Sequence, residues 1–369
     1  MYYEEMKKIW KPGTVALILG ISILLFVTFM LRCIRPFQYN DGSESTGLTL
    51  ELCRDFMEQY GNTIEAEEFA AIEGEYRQLL DGTNEMISQT ELFMQNSITD
   101  YEDYFQYMQK AILGYEGYDY NTYAKMRELI IRETGKSSMY FEIYEDFMEQ
   151  YQSATAGRTS ILPFEILSYT NDYFVIMILW CLICTFFLSA PVMVTDRANH
   201  MTANQYAGKR GKKIHKIQYR CMNVSVLILV SMITLVSMLL WNTTGALEYR
   251  DSGINSFLNS ETSVIPLTYG GLILCFIVIA YFLTFGITKI VFYFSSRSSN
   301  AINLLIKAIP VLVGGGFMGL FMSGLLCKSN RIYQILSIPG CELILAAAVF
   351  VIGVFINGRN YRMVRRRDA

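Results

Sequence analysis

Six long apolar runs decide what this chain can fold into. They are TVALILGISILLFVTFML from Thr14, YFVIMILWCLICTFFLSAPVMV from Tyr173, CMNVSVLILVSMITLVSMLLW from Cys221, SVIPLTYGGLILCFIVIAYFLTFGIT from Ser263, AIPVLVGGGFMGLFMSGLLC from Ala308 and SIPGCELILAAAVFVIGVFI from Ser337. About 20 apolar residues in a helix match the roughly 30 Å hydrocarbon core of a bilayer. No soluble domain needs six such runs, so the fold class predicted is an all-α polytopic membrane protein with six transmembrane helices. The first run follows Lys7, Lys8 and Lys11, as a signal peptide would. It is too long for an h-region, no small-x-small cleavage site follows, and LRCIRPF closes it with arginines, so it reads as a retained membrane helix.

Charge is segregated along the chain. The formal net charge is only -3, yet residues 34 to 172 hold 26 of the 34 acids and 9 of the 31 bases. Lys and Arg are enriched in short cytoplasmic loops, and that bias sets orientation. With both termini inside, the cytoplasmic segments are 1 to 13, 196 to 220, about 288 to 307 and 357 to 369, and the short outer loops retain only Arg250, Lys328 and Arg331. The expected organisation is a cytoplasmic N-terminus and first helix over 1–34, a helical extracellular domain over 35–171, and a five-helix membrane region over 172–369 with a cytoplasmic loop at 196–220.

The segment 35–171 carries amphipathic stripes. TLELCRDFMEQYG closes on Gly61. NTIEAEEFAAIEGEYRQLLDG opens with Asn62 and Glu65 at capping-box spacing and places Phe69, Ile72, Tyr76, Leu79 and Leu80 on one face. A third helix opens with Thr99 and Glu102 at the same spacing and ends at Gly114, and two more cover NTYAKMRELIIRETG and SMYFEIYEDFMEQYQ. The hexapeptide DFMEQY occurs at Asp55 to Tyr60 and again at Asp146 to Tyr151, either as two helices paired in an antiparallel stalk or as convergence in a chain rich in Tyr and Met.

Catalytic and metal chemistry is hard to place. No HExxH, GxSxG or Walker A pattern is present, and GKRGKK lacks the spacing and the Ser/Thr that would meet magnesium. His200 and His215 read as surface residues. The Cys181/Cys184 pair lies inside an apolar run without a second ligand pair, which indicates membrane packing. No ionisable residue falls near a helix midpoint, and Lys307 and Glu342 sit near helix ends, which disfavours a self-powered ion-coupled transporter. Gly315, Gly319 and Ser323 recur at four-residue intervals and suit close helix packing or a dimer seam. Pro191, Pro266 and Pro310 are candidate kinks.

The stretch QYAGKRGKKIHKIQYR, residues 205 to 220, is strongly basic and sits between two apolar runs. Attraction to anionic headgroups accounts for its charges. The preceding TDRANHMTANQYAG is long enough for a short amphipathic helix ending at Gly208. One short basic run without a binding fold around it gives no case for nucleic acid.

Six helices, a large domain after the first and a basic loop after the second together resemble the ABC-2 type permease family, the membrane subunit of ABC exporters. The likeness is carried by VTDRANHMTANQYAGKRGKKIHKIQY. In that family an acidic residue closes the second membrane helix, a short coupling helix and a Gly/basic element follow, and a lysine leads into the third helix. Asp196 stands at the acidic position, where the family more often has Glu. Gly208, Lys209, Arg210 and Gly211 stand at the Gly/basic element and Lys216 at the lysine. YGNTIEAEEFAAIEGEYRQLL and SITDYEDY look like the outer domain of such permeases from low-GC Gram-positive bacteria.

The resemblance implies a permease without catalytic groups, placed in the cell membrane. It would dimerise with a second copy or a paralogous permease and bind a separate cytoplasmic ATPase, which would carry the ATP and magnesium. Coupling would run through Asp196, Arg197, Gly208, Lys209, Arg210, Gly211, Lys212, Lys213 and Lys216, and the substrate would be an amphipathic peptide, antibiotic or lipid-like molecule. From a different class, the size of the outer domain suits a membrane-anchored sensor or scaffold that binds a ligand or envelope partner. An intramembrane enzyme has no evident catalytic group in this sequence.

Overall fold

A computed structural model of the chain describes residues 2–37, 45–154, 157–198, 211–259, 266–327 and 340–367. Among these residues the fold is helical, and the only strand-like pairings are isolated bridges, Thr63 to Ser160 and Gly253 to Thr268. The chain divides into two compact units, one of residues 1–38, 164–255 and 261–369, the other of residues 39–163 with 256–260.

The first unit starts with α1 (Tyr2–Ile9) and the span α2 (Pro12–Phe37). The second unit supplies α3 (Ser45–Tyr60), α4 (Ala66–Gln89), α5 (Glu91–Met94), α6 (Tyr101–Ile112), α7 (Tyr120–Thr134) and α8 (Ser138–Ser153). The first unit resumes with α9 (Phe164–Ser189), α10 (Pro191–Ala198), α11 (Gly211–Asn242), α12 (Tyr269–Arg297), α13 (Ala301–Cys327) and α14 (Cys341–Arg367). Among the described residues six helices are long and apolar enough to cross a membrane, so the chain has the character of a multi-pass membrane protein.

Burial ranks these spans. The most apolar stretch of α9 is 72% buried, against 11% for that of α2. The helix α9 therefore lies inside the bundle and α2 on its rim. A buried polar chain ties α9, α11 and α12: Trp241 Nε1 donates to Tyr269 Oη at 2.9 Å, and Tyr269 Oη lies 2.7 Å from Thr170 Oγ1. The Trp241 ring packs on Tyr173 at 4.6 Å and edge-on to Phe37 at 5.7 Å. Replacing Trp241 with Phe removes the donor and leaves a void, so the variant should lose about 1–3 kcal/mol. An unfolding midpoint equal to the parent's would contradict that role.

Glycine sets the closest approach. A Cβ on Gly353 of α14 would lie 2.6 Å from the Gly286 carbonyl of α12, and one on Gly286 would lie 2.8 Å from the backbone at Val349 and Phe350. The two backbones meet directly, and α12 packs more extensively on α14 than on any other helix. Gly315 and Gly319, read from sequence as a packing or dimer stripe, face Ile287 of α12 and Ile178 of α9 within the chain. The Ser323 side chain lies outside the described set. Pro310 lies inside α13, Pro191 opens α10 directly after α9 stops, and Pro266 precedes α12 and bends no helix.

The second unit has an aromatic core. Tyr76 stacks on Tyr144 at 4.7 Å and Phe69 on Tyr151 at 3.9 Å. Burying tyrosine is tolerable when its hydroxyl finds a partner, and Tyr101, Tyr144 and Tyr151 donate to the carbonyls of Ser138, Ile72 and Ile64. The two DFMEQY copies meet here: Phe56 of the first lies 4.7 Å from Phe147 of the second. Phe257, from the connection between α11 and α12, packs against Phe147 and Tyr151 at 5.0 and 5.1 Å.

Two helix starts differ from the sequence reading. The capping box of α4 uses Glu65 and Glu68, because Asn62 and Ile64 are committed to backbone pairing with Ile161 and Thr159. The helix then runs through Gly82 to Gln89. Asp100 rather than Thr99 caps α6, and Asp103 rather than Glu102 reaches back, to the Thr99 amide and hydroxyl at 3.0 and 2.6 Å.

The acidity of this unit has a pH signature. Partial burial, then the charges of Asp146, Glu102, Glu149 and Glu142, push the Glu145 carboxyl above its ordinary value. A carboxyl raised in the folded state favours folding below its unfolded pKa, and that contribution is lost as pH rises through the folded one. Glu145→Gln should therefore slow amide exchange in α8 at pH ~7 and change nothing at pH ~4, near the unfolded carboxylate value. Equal protection of variant and parent at both pH values would count against the repulsion.

Candidate functional site

The residues read from sequence as a coupling element divide into two groups. Gly208, Lys209 and Arg210, with His200 and the amphipathic helix expected before Gly208, lie outside the described residues. Gly211, Lys212 and Lys213 form the first turn of α11, whose side chains are also outside the described set, while Lys216 is exposed on its second turn. Asp196 and Arg197 lie on the short helix α10, directly before the loop.

Asp196 is 5% exposed. Its carboxylate accepts from Gln218 Nε2 of α11 at 2.9 Å and pairs with Lys8 Nζ of α1 at 3.4 Å. Lys8 also pairs with Glu5 at 2.9 Å. Burial opposes the Lys8 charge, but Glu5 and Asp196 outweigh it and hold its ammonium above the ordinary lysine value. A buried carboxylate is tolerable only with partners of this kind, and here they come from two other helices. Around them Trp10 donates to Ser225 Oγ at 3.0 Å, and Arg220 donates to the Tyr2 hydroxyl at 3.2 Å, so α1 is fastened along α11.

Arg197 points the other way. Its Nη1 donates to the Ser298 carbonyl at 2.7 Å and its Nη2 to the Ser296 carbonyl. These carbonyls close α12, where the last turn has no intrahelical donors and a cation is electrostatically favoured. Neighbouring residues of α10 thus grip α1 and α11 on one side and the end of α12 on the other.

A second polar cluster lies deeper. The sequence places Lys289 in a cytoplasmic segment of about 288 to 307, but α12 continues to Arg297 and α13 begins at Ala301, so only Ser298 to Asn300 connect them. Lys289 is 6% exposed inside α12. Its Nζ donates to Asn223 Oδ1 at 3.0 Å and faces the rings of Phe285 at 4.9 Å, Phe350 at 5.0 Å and Tyr219 at 5.9 Å. Asn357 of α14 donates to the Lys289 carbonyl. Among the described residues no carboxylate pairs with this ammonium. His215, expected at the surface, is 5% exposed, its ring 5.9 Å from Phe292, because α11 begins well before its apolar run.

Beside the cluster is a cavity of about 260 Å³ lined by His215, Lys216 and Tyr219 of α11 and Val354, Asn357 and Gly358 of α14. Sequence reading missed this site. Its signal was a lysine eight residues before the end of an otherwise apolar helix, which a positive-inside count assigns to a loop. Cys181 and Cys184 are buried free thiols, as packing requires, and Cys341 is also free. Among the described residues no group of His, Cys, Asp and Glu could hold a metal ion. Comparison with known proteins finds no family model, no curated protein and no solved structure that matches the chain.

Proposed function

We propose that the chain is the membrane-spanning permease subunit of an ATP-driven exporter, with both termini in the cytoplasm and residues 39–163 outside the cell. It works as a dimer, with a second copy or a paralogous permease, on a substrate that is an amphipathic peptide, antibiotic or lipid-like molecule. The observation that supports this reading best is the double grip at α10. A force applied to residues 199–210 by a closing ATPase meets Asp196 and Arg197 first, and through them α1, α11 and α12. Rigid helices joined at one end by polar contacts tilt together when that junction moves. The chain supplies the path, and the ATPase partner supplies ATP, magnesium and hydrolysis.

The test is to tag the full chain, extract it gently from its host's membranes and identify what co-purifies. A stoichiometric protein with a Walker A motif is expected. Charge reversal of Lys209, Arg210, Lys212 and Lys213 should then separate ATP hydrolysis from export, and unchanged transport in that variant would sink the reading. The aromatic core of the second unit favours a different reading, a membrane-anchored sensor or scaffold. Recovery of envelope proteins without an ATPase, in detergents that keep transporter complexes intact, would select it.

A further inference from the structure

We infer that the cavity between α11 and α14 binds one anionic phospholipid from the surrounding leaflet. The electrostatic argument starts from Lys289. A cation inside a membrane span is costly unless a partner neutralises it, and such residues mark functional sites. The ammonium of Lys289 has an amide oxygen and three aromatic rings around it, which orient and shield it, but among the described residues no counter-charge. The cavity shares its walls with this cluster. Tyr219 forms part of both, and Asn357 lines the cavity while holding the Lys289 carbonyl. Lys289 does not itself line the cavity, so an anion there meets Lys216 directly and offsets the Lys289 charge from behind the wall formed by Tyr219 and Asn357.

Depth and surface identify the anion as a lipid. Lys289 precedes Arg297 by eight residues, about 12 Å of helix. That end of the bundle also carries the exposed Lys216 and Arg220 near the start of α11 and Arg359 near the end of α14, a distribution suited to a charged headgroup layer. In the other direction along α14, Val351, Val354 and Phe355 are 61%, 42% and 70% exposed, an apolar face continuous with the cavity wall at Val354. A free inorganic anion has no use for that face. An acyl chain does, and a volume of about 260 Å³ admits the neck of one lipid while excluding a folded partner.

The test uses the purified full-length chain in mild detergent, titrated with phosphatidylglycerol or phosphatidylcholine of identical chains, with native mass spectrometry and the thermal midpoint as readouts. One phosphatidylglycerol per chain should be retained at concentrations about tenfold below those needed for phosphatidylcholine. Lys216→Gln and Lys289→Met should each remove most of that preference. Gly358→Phe leaves every charge in place, and a Cβ there meets nothing within 4 Å, so its ring can grow into the cavity and abolish retention. If Lys289→Met fails to fold, Lys216→Gln and Gly358→Phe still decide the matter. Equal retention of both lipids, parental retention by Gly358→Phe, or displacement by millimolar inorganic phosphate alone would each overturn the assignment. The assay reads lipid and not export, so its outcome is independent of the permease reading.

Discussion

Gly353→Leu should leave little folded protein in the membrane. A Cβ at this position would lie 2.6 Å from the Gly286 carbonyl and 3.1 Å from the Lys289 Cβ. The first of these is backbone and cannot swing aside, so α12 and α14 must separate along their whole contact. Helices in a bilayer gain no hydrophobic drive from pairing and depend on close van der Waals contact, which small residues permit. One turn further along α14, Asn357 would lose its reach to the Lys289 carbonyl. We expect destabilisation above about 4 kcal/mol, in the range reserved for overpacked cores and broken networks. Gly314→Leu is the matched control, because a Cβ there meets nothing within 4 Å. Size-exclusion profiles and unfolding midpoints of both variants in one detergent make the comparison. A Gly353→Leu protein with the parental midpoint would refute the backbone contact.

The same pair of glycines shows where sequence reading stops. Apolar runs located all six spans because hydropathy is summed over many residues and survives errors at either end. The contact of Gly286 with Gly353 joins residues far apart in sequence, neither has another glycine three or four residues away, and no local spacing marks it. The regular stripe at Gly315 and Gly319 was legible, although periodicity alone could not name Ile287 and Ile178, the side chains it faces within the chain. Lys289 was displaced for a related reason. A charge near a helix end reads equally as loop or as buried group, and only the rings of Phe285, Phe350 and Tyr219, from three helices, distinguish them. In the second unit Asn62 was a reasonable cap until tertiary pairing with Ile161 claimed its backbone. Asp196 and Arg197 were singled out through a resemblance, while their partners Lys8, Gln218, Ser296 and Ser298 are a product of topology.

Those partners make Arg197→Ala the sharpest functional test. The substitution removes two charge-assisted hydrogen bonds from the end of α12 and leaves Asp196 with Gln218 and Lys8. Bonds of this type contribute about 1.5–3 kcal/mol each before the side-chain entropy regained is subtracted. The spans themselves keep their packing, so the protein should insert and extract normally. In the permease reading, movement of the loop after α10 would then reach α1 and α11 but not α12. Export should fall about 5- to 150-fold, the range of ordinary coupling energies, while the partner ATPase still binds and turns over. Arg197→Lys should fall between, since one ammonium cannot span two carbonyls as a guanidinium fork does. The discriminating measurement is export per ATP hydrolysed in reconstituted vesicles. An unchanged ratio in Arg197→Ala would show that α12 receives its motion by another route, and that the grip of α10 on its end serves stability alone.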